Sequence, residues 1–339
     1  MIRNEAELDE RLSRPSVADV AAAAALKGDL LILGAGGKMG PSLALRARRA
    51  IEKAGAPHRV IAVARFTRAE LVEPLRAAGV ETIASNLLEP GALAALPDSP
   101  NVIFMAAMKF GTTGAEPMTW AMNTHLPGLV AERYRDSSIV AFSTGNVYPL
   151  SPAVSGGCTE FASPNPVGEY AQSALGRERM FEYGARTYGT QSVILRLNYA
   201  NELRYGVLAD IARKVFERRP VDLRMGAVNV IWQGDANSVC LRAFSHVEAP
   251  PLILNLTGPE TVSVRYLANE FGRRFGVDPV LDGSESETAL LSNASLCCRL
   301  FGYPLVTLGE MIEWVAAWVS AGGTTLGKPT HFETRNGRF

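Results

Sequence analysis

The feature that most constrains the fold is an apolar run that ends in closely spaced glycines, DLLILGAGGKMG at residues 29–40. Residues 30–33 lack polar alternation, as is typical of a parallel strand buried on both faces. In the turn that follows, Gly34 permits the bend, Gly37 lets a pyrophosphate approach the backbone, and Gly40 lets a helix pack closely. The alternative is an ordinary strand–helix turn without a ligand. Because the motif follows the first buried strand and opens a helix, it favours dinucleotide binding.

Composition indicates an ordinary soluble globular protein. With 339 residues and 47% hydrophobic content, the chain has material for a large core in one or two lobes. Lys plus Arg equals Asp plus Glu at 34 each, so we expect neither nucleic acid nor a membrane as a partner. The scattered cysteines suit neither a disulfide framework nor a metal site. The N-terminus shows no signal or membrane segment, so a cytoplasmic location is expected.

Strands and helices alternate along the N-terminal part of the chain. Apolar runs predict strands at 30–33, 59–64, 80–84, 101–107 and 138–142, and helical patterns predict helices at 17–26, 68–78 and 118–133, with another from the glycine turn to about 54. This alternation predicts an α/β fold with a doubly wound parallel (Rossmann) sheet.

The end of the second predicted strand bears on the choice of cofactor. An acidic residue there accepts the ribose hydroxyls of NAD and repels the 2'-phosphate of NADP. Here Ala64 is followed by Arg65, and Arg68 lies one turn on. NADP is therefore the predicted cofactor in preference to NAD. The alternative is that Arg65 is a solvated surface residue.

Two further strand ends carry polar candidates. The fourth runs into Ala106, Ala107, Met108 and Lys109, where small residues leave room for a ligand. Ligands of such sheets bind at the carboxyl edge, which makes Lys109 a candidate, although a solvated loop lysine is the alternative. The fifth strand runs into Thr144, either a catalytic hydroxyl or a strand-terminal hydrogen bonder.

Together these residues resemble the extended short-chain dehydrogenase/reductases, specifically the NAD-dependent epimerase/dehydratase family. Residues 34–40 resemble the family's GxxGxxG motif, and Ala106-Ala107 resemble its alanine pair. Asn123 matches its helix asparagine, and residues 142–148 resemble its serine-rich strand end. Further along the chain, residues 170–178 resemble its YGxSKxxxE, residues 195–198 its LRxxN, and Asp235 the aspartate of its VDDVA.

The resemblance implies a Rossmann domain, residues 1–198 with 229–257, and a smaller C-terminal substrate lobe, residues 199–228 with 258–339. It implies a sugar-like small-molecule substrate, Tyr170 as the acid/base, Thr144 as the holder of the substrate hydroxyl, and a homodimer formed through the helices at 118–133 and 170–187. The implied cofactor-binding residues are Gly34, Gly36, Gly37, Lys38, Met39, Gly40, Arg65, Asn86, Leu87, Ala106, Ala107, Met108, Asn123 and Tyr170.

The chain departs from the family pattern at a central position. The family's lysine, four residues after the tyrosine, is Ala174 here. An unassisted tyrosine has a pKa of about 10 and is a poor base near neutrality. Lys109 and Arg177 are the candidate replacements, and Lys109 is preferred because AAMK resembles the AGLK of UDP-galactose 4-epimerases. Asn86 also replaces an aspartate that often contacts adenine.

Two function classes follow from these residues. The first is an NAD(P)-dependent epimerase, dehydratase or oxidoreductase that acts on a sugar or polyol by hydride transfer. The stretch 226–234 lacks the arginine of nucleotide-sugar enzymes, so a nucleotide diphosphate on the substrate is not expected. The second class is a catalytically inactive NAD(P)-binding sensor, in which Ala174 marks lost chemistry. A scaffold without cofactor is a weaker third alternative.

Overall fold

A parallel sheet is the centre of the fold. A computed structural model describes residues 1–109, 111–328 and 330–338. Within these ranges seven strands form the central sheet: β1 Leu30–Leu33, β2 Val60–Ala64, β3 Glu81–Ala84, β4 Asn101–Phe104, β5 Ser138–Thr144, β6 Ser192–Leu197 and β7 Leu252–Leu256. Their spatial order is β7-β6-β5-β4-β1-β2-β3, and each pairing is parallel. The doubly wound sheet predicted from the sequence is confirmed.

Helices cover both faces of this sheet and build the second lobe. In the described ranges they are α1 Glu5–Ser13, α2 Val17–Ala24, α3 Gly40–Lys53, α4 Val72–Ala77, α5 Glu116–Trp120, α6 Leu126–Arg133, α7 Gly168–Tyr188, α8 Val207–Phe216, α9 Gln233–Arg242, α10 Val264–Phe275, α11 Ser295–Phe301 and α12 Leu308–Ser320. No helix in the described part of the chain is long and apolar enough to cross a membrane.

Alternate residues of β1 belong to different cores, which explains its unbroken apolar sequence. Leu30 and Ile32 pack in the cluster that contains the apolar sides of α3 and α9. Leu31 and Leu33 pack in the opposite cluster, with α6 and α7. Strand order reverses between β1 and β4, so a crevice opens above their carboxyl ends. The glycine turn leaves β1 at this crevice.

The second lobe has its own core of α8, α10 and α12, to which α1 adds Leu8 and Leu12 and the C-terminal segment adds Phe332. Short strand pairs complete it: 227–228 with 262–263, 221–222 with 281–282, 200–201 with 231–232, and 151–152 with 288–289. The division into a Rossmann domain and a substrate lobe at the boundaries given above stays a prediction.

Several elements differ from the sequence-based prediction. Strand β4 ends at Phe104, short of Ala107, and β5 continues to Thr144. The helix predicted at 118–133 begins at Glu116 and contains a π-helical turn, Ala121–His125, between α5 and α6. The helix predicted at 68–78 is a short 3-10 turn, Ala69–Leu71, followed by α4.

Candidate active site

The glycine turn has the geometry that pyrophosphate binding needs. Gly34 has φ +95°, and a Cβ there would overlap the backbone of Ala106 at the end of the neighbouring β4. A Cβ at Gly40 would overlap Ala35, so the first and third glycines serve close packing. At Gly37 the nearest atom to an added Cβ is the carbonyl oxygen of Gly34, at 3.6 Å. The exposed backbone at Gly37 is therefore open to a ligand at the start of α3.

The strands beyond β1 place the other predicted cofactor contacts along the same edge. Arg65 follows β2 directly, and its side chain is exposed. Asn86 follows β3, but its amide is engaged within its own turn, donating to Glu89 and accepting from the backbone N–H of Leu88. Leu87 is buried in the core. The exposed guanidinium of Arg65 is thus free to approach a phosphate on the adenosine side.

Asn123 lies in the π-helical turn and holds the loop that follows β4. Its Oδ1 accepts from the Met108 backbone N–H (2.9 Å) and its Nδ2 donates to the Met108 carbonyl (2.8 Å), as a paired strand would. Nδ2 also donates to Ser173 of α7 at 3.0 Å. Since Lys109 is the next residue after Met108, this buried asparagine positions the lysine. A π-helical turn is a frequent feature of functional sites.

Tyr170 stands in the first turns of α7, buried at the carboxyl edge of the sheet. Thr144, which ends β5, lies near enough to Tyr170 to affect its pKa. Burial raises the pKa of Tyr170, while the positive charge of Arg177 and the side chain of Thr144 act to lower it. The Nζ of Lys109 lies 5.8 Å from the centre of the Tyr170 ring. The structure therefore brings Tyr170, Thr144 and Lys109 together.

Arg177 extends beneath this group from two turns farther along α7. Its Nη2 donates to Asn123 Oδ1 (2.9 Å) and its Nη1 donates to the Phe142 carbonyl (2.8 Å). The Nε is buried and has no hydrogen-bond partner. Ala174, in place of the family's lysine, is fully buried against Val147 and Tyr148. Arg177 is the side chain whose charge acts on Tyr170.

Lys38 reaches from the glycine turn across to the chain that follows β6. Its Nζ donates to the Ala200 carbonyl (2.6 Å) and lies 4.1 Å from the centre of the Tyr205 ring. Burial lowers the pKa of Lys38 to about 7 and that of Lys109 to about 8. The ring of Tyr205 and the Ala200 carbonyl were not predicted to belong to the site, because no local spacing connects them to the glycine turn.

A buried polar network holds the strand ends beneath these groups. Glu178 of α7 forms an ion pair with Arg196 of β6 at 2.6 Å and accepts from Ser143 of β5 at 2.6 Å. Arg196 also donates to the Tyr148 hydroxyl (2.7 Å), which donates to Asn255 of β7. Burial raises the pKa of Tyr148 to about 12, so this hydroxyl stays protonated. The network ties three neighbouring strands to the helix that carries Tyr170.

The segment from β1 into the second lobe, residues 30–223, matches the model of the NAD dependent epimerase/dehydratase family. This is more than half of the chain. The chain belongs to the NAD-dependent epimerase/dehydratase family. The resemblance noted in the sequence is thereby confirmed. A comparison with curated protein sequences gives no match.

Solved structures of epimerases share the fold of this family member. UDP-glucuronic acid 4-epimerase from Bacillus cereus, in complex with UDP-glucuronic acid and NAD, superposes with a TM-score of 0.72 at 17% identity, over 86% of this chain and 99% of that chain. UDP-glucose 4-epimerase from Thermotoga maritima, with UDP-glucose, gives a TM-score of 0.69 at 16% identity, over 87% and 99%. At these identities the similarity shows the fold.

The epimerase/dehydratase fold accounts for where the predicted residues lie. The glycine turn, the loop after β4 and the end of β5 meet at the carboxyl edge, as expected for parallel strands. Met39 and Leu87 have buried side chains, which leaves them backbone or packing roles. The individual roles assigned to the site residues stay predictions. In the described residues no cluster of His, Cys, Asp or Glu is suited to a metal ion.

Proposed function

We propose that this protein is an NADP(H)-dependent epimerase, dehydratase or oxidoreductase that acts on a sugar or polyol. One observation carries the proposal: a buried tyrosine lies near the threonine at the end of β5, at the sheet edge where the glycine turn is open to a pyrophosphate. A phenol and a hydroxyl side by side suit a substrate alcohol that loses or gains a proton. Membership of the epimerase/dehydratase family and the UDP-sugars bound by its structural neighbours support a sugar-like substrate.

The residues at the carboxyl edge fit a dinucleotide. The backbone at Gly36 and Gly37 would face the pyrophosphate at the start of α3, and the exposed Arg65 would pair with a 2'-phosphate. Ala106 and Ala107 follow β4, where small side chains leave room for the middle of the dinucleotide. When bound, the cofactor would supply a hydride acceptor in its oxidised form and a hydride donor in its reduced form.

In this proposal Tyr170 moves the proton of the substrate hydroxyl and Thr144 orients that hydroxyl. Burial raises the pKa of Tyr170, so the phenol is protonated near neutrality and is suited to donate a proton. For the opposite direction the phenolate must be stabilised. A nearby cation and the side chain of Thr144 both favour the phenolate form.

We assign the role of the missing lysine to Arg177, in contrast to the preference for Lys109 that the sequence suggested. Arg177 and Tyr170 interact electrostatically, and the interaction favours the charged form of each. The two hydrogen bonds to Asn123 and Phe142 hold the guanidinium in one position. Lys109 lies over the ring face of Tyr170, which is the position of a substrate or cofactor contact.

The competing proposal is a cofactor-binding protein without catalysis. It is favoured by Ala174, which is fully buried against Val147 and Tyr148 where the family pattern has its lysine. The two proposals agree on NADP(H) binding and differ in turnover.

Turnover in a substrate panel tests the enzyme proposal. Protein saturated with NADP⁺, and in a parallel sample with NADPH, is incubated with UDP-glucose, UDP-glucuronic acid, free sugars and sugar acids, and products are followed by nuclear magnetic resonance. We expect conversion of at least one substrate, and Tyr170→Phe should lower the rate about a hundredfold to ten-thousandfold while NADPH still binds. Conversion that is unchanged in Tyr170→Phe would refute this acid/base role. NADPH binding without any conversion favours the sensor.

We also propose a homodimer through the surface formed by the α5–α6 region and α7. Met118, Trp120 and Tyr183 are large apolar side chains exposed on these helices. Sedimentation should show a dimer that Tyr183→Glu weakens.

A further inference from the structure

Lys38, in the glycine turn, is unusual in its contacts. Its charged Nζ contacts two uncharged groups. The Ala200 carbonyl accepts one of its three N–H donors at 2.6 Å, and the Tyr205 ring face lies 4.1 Å away. In the described ranges no carboxylate lies within ion-pair distance of its Nζ. The nearby acids are engaged elsewhere: Glu202 pairs with Arg204 (3.2 Å), and Asp210 accepts from Thr330 (2.9 Å).

Lys38 and Lys109 each lie against the ring of a tyrosine. Lys109 lies over the ring of Tyr170, and Lys38 lies over the ring of Tyr205. The charge of Lys109 acts to lower the pKa of Lys38, and the charge of Tyr170 acts to raise the pKa of Tyr205, so the two lysine–tyrosine pairs lie near each other. Two cations and two phenols therefore lie in one region, which includes the candidate acid/base.

We propose that Lys38 and Lys109 bind an anionic group of the substrate, a carboxylate or a phosphate, next to Tyr170. This inference rests on the proposed function, since it names the substrate class of the same site. An anion between the two lysines attracts both of them and so offsets their mutual repulsion. It also supplies the negative charge that the carbonyl and ring contacts of Lys38 lack.

The direction of the Lys38 side chain favours the substrate over the cofactor pyrophosphate as the source of the anion. Its Nζ lies at Ala200, in the chain that follows β6, and beside Tyr205, which precedes α8 of the second lobe. The start of α3 presents backbone N–H groups to the pyrophosphate, and Arg65 marks the adenosine side, toward β2. The Nζ of Lys38 is instead held at the Ala200 carbonyl, beyond β6.

The charge state of the two lysines gives the proposed site a pH dependence. Burial lowers the pKa of Lys38 to about 7; Glu202 and Asp210 oppose this shift, and Lys109 and Arg204 add to it. Burial lowers the pKa of Lys109 to about 8. Both ammonium groups are mainly charged well below pH 7 and mainly neutral well above pH 8. Anion affinity should therefore be highest below pH 7 and fall as the pH rises through this range, with proton uptake on binding.

Calorimetry on the NADPH-saturated protein tests the inference. The three probes, glucose, glucuronate and glucose 6-phosphate, have the same sugar ring and differ only at carbon 6. The two anions should bind roughly tenfold to a hundredfold more tightly than glucose, and the better of them identifies carboxylate or phosphate. Lys38→Met and Lys109→Met should remove this preference. Lys38→Arg should keep it, and Lys53→Met, at the exposed far end of α3, serves as the matched control.

The outcomes separate this inference from the proposed function. If the anions bind no better than glucose, or if none of the probes binds, the anion site is refuted while NADPH binding can still stand. If Lys38→Met weakens NADPH and leaves the anion preference intact, Lys38 serves the cofactor and the inference is wrong. Failure of the unmodified protein to bind NADPH refutes the proposed function itself.

Discussion

Arg177 donates a hydrogen bond of 2.9 Å to the same Oδ1 of Asn123 that accepts the backbone N–H of Met108. One buried amide oxygen therefore links the guanidinium on α7 to the loop that carries Lys109. The second nitrogen of the guanidinium holds the Phe142 carbonyl on β5. Arg177, the loop that carries Lys109 and the end of β5 are positioned together, which explains how this chain keeps an ordered site around Tyr170 without the family's lysine.

The first prediction concerns the pKa of Tyr170. Arg177→Met removes the cation that favours the phenolate, so the pKa of Tyr170 should rise by about one unit or more. Tyrosine labelled with carbon-13 at Cζ, titrated by nuclear magnetic resonance and assigned with Tyr170→Phe, measures it directly. The pKa of Tyr170 should rise less in Arg177→Lys. It should not change in Arg179→Met, because Arg179 lies on the exposed side of α7. An unchanged pKa in Arg177→Met would rule out Arg177 as the replacement.

A second prediction concerns the ion pair beneath the site. Arg196→Met leaves the fully buried carboxylate of Glu178 without its partner, so the free energy of unfolding should fall by about 3–5 kcal/mol. Urea denaturation measures this loss. Arg179→Met breaks an exposed pair with Glu182 and should cost no more than about 1 kcal/mol. Equal losses in the two variants would show that the buried pair is not a stability determinant.

Much of the fold could be predicted because its signals are local. Residues 30–40 combine an apolar strand, glycines and a helix start, and each of these has a short-range physical cause. The predicted ends of β4 and β5 were less accurate, because pairing with neighbouring strands decides where a strand ends. β5 runs on to Thr144 because it pairs with β6 as far as Leu197.

The parts of the site that could not be predicted depend on long-range contacts. Lys38 meets Ala200 across 162 positions of sequence, and no pattern near either residue indicates the contact. Arg177 is a candidate replacement from the sequence alone, but its bonds to Asn123 and Phe142 depend on how α7 packs on the sheet. The π-helical turn at Asn123 also has no local signal in the sequence.

A third prediction concerns cofactor choice. The exposed Arg65 after β2, with no acid at Ala64, should favour NADPH over NADH roughly tenfold to a hundredfold, as expected for one charge-assisted pair. Arg65→Asp should invert the preference, because a carboxylate accepts ribose hydroxyls and repels the 2'-phosphate. The affinities of the unmodified protein and of Arg65→Asp for NADPH and for NADH measure this preference. Equal affinities in the unmodified protein would contradict the assignment.

Dinucleotide binding at the glycine turn is the central claim, and calorimetric titration of NADPH into the unmodified protein and Gly37→Val tests it most directly. The unmodified protein should bind one NADPH per chain. Gly37→Val should stay folded, because an added Cβ meets nothing closer than the Gly34 carbonyl oxygen at 3.6 Å, yet it should not bind, since the side chain fills the approach of the pyrophosphate. Absence of binding to the unmodified protein, or unchanged affinity in a folded Gly37→Val, would contradict the account.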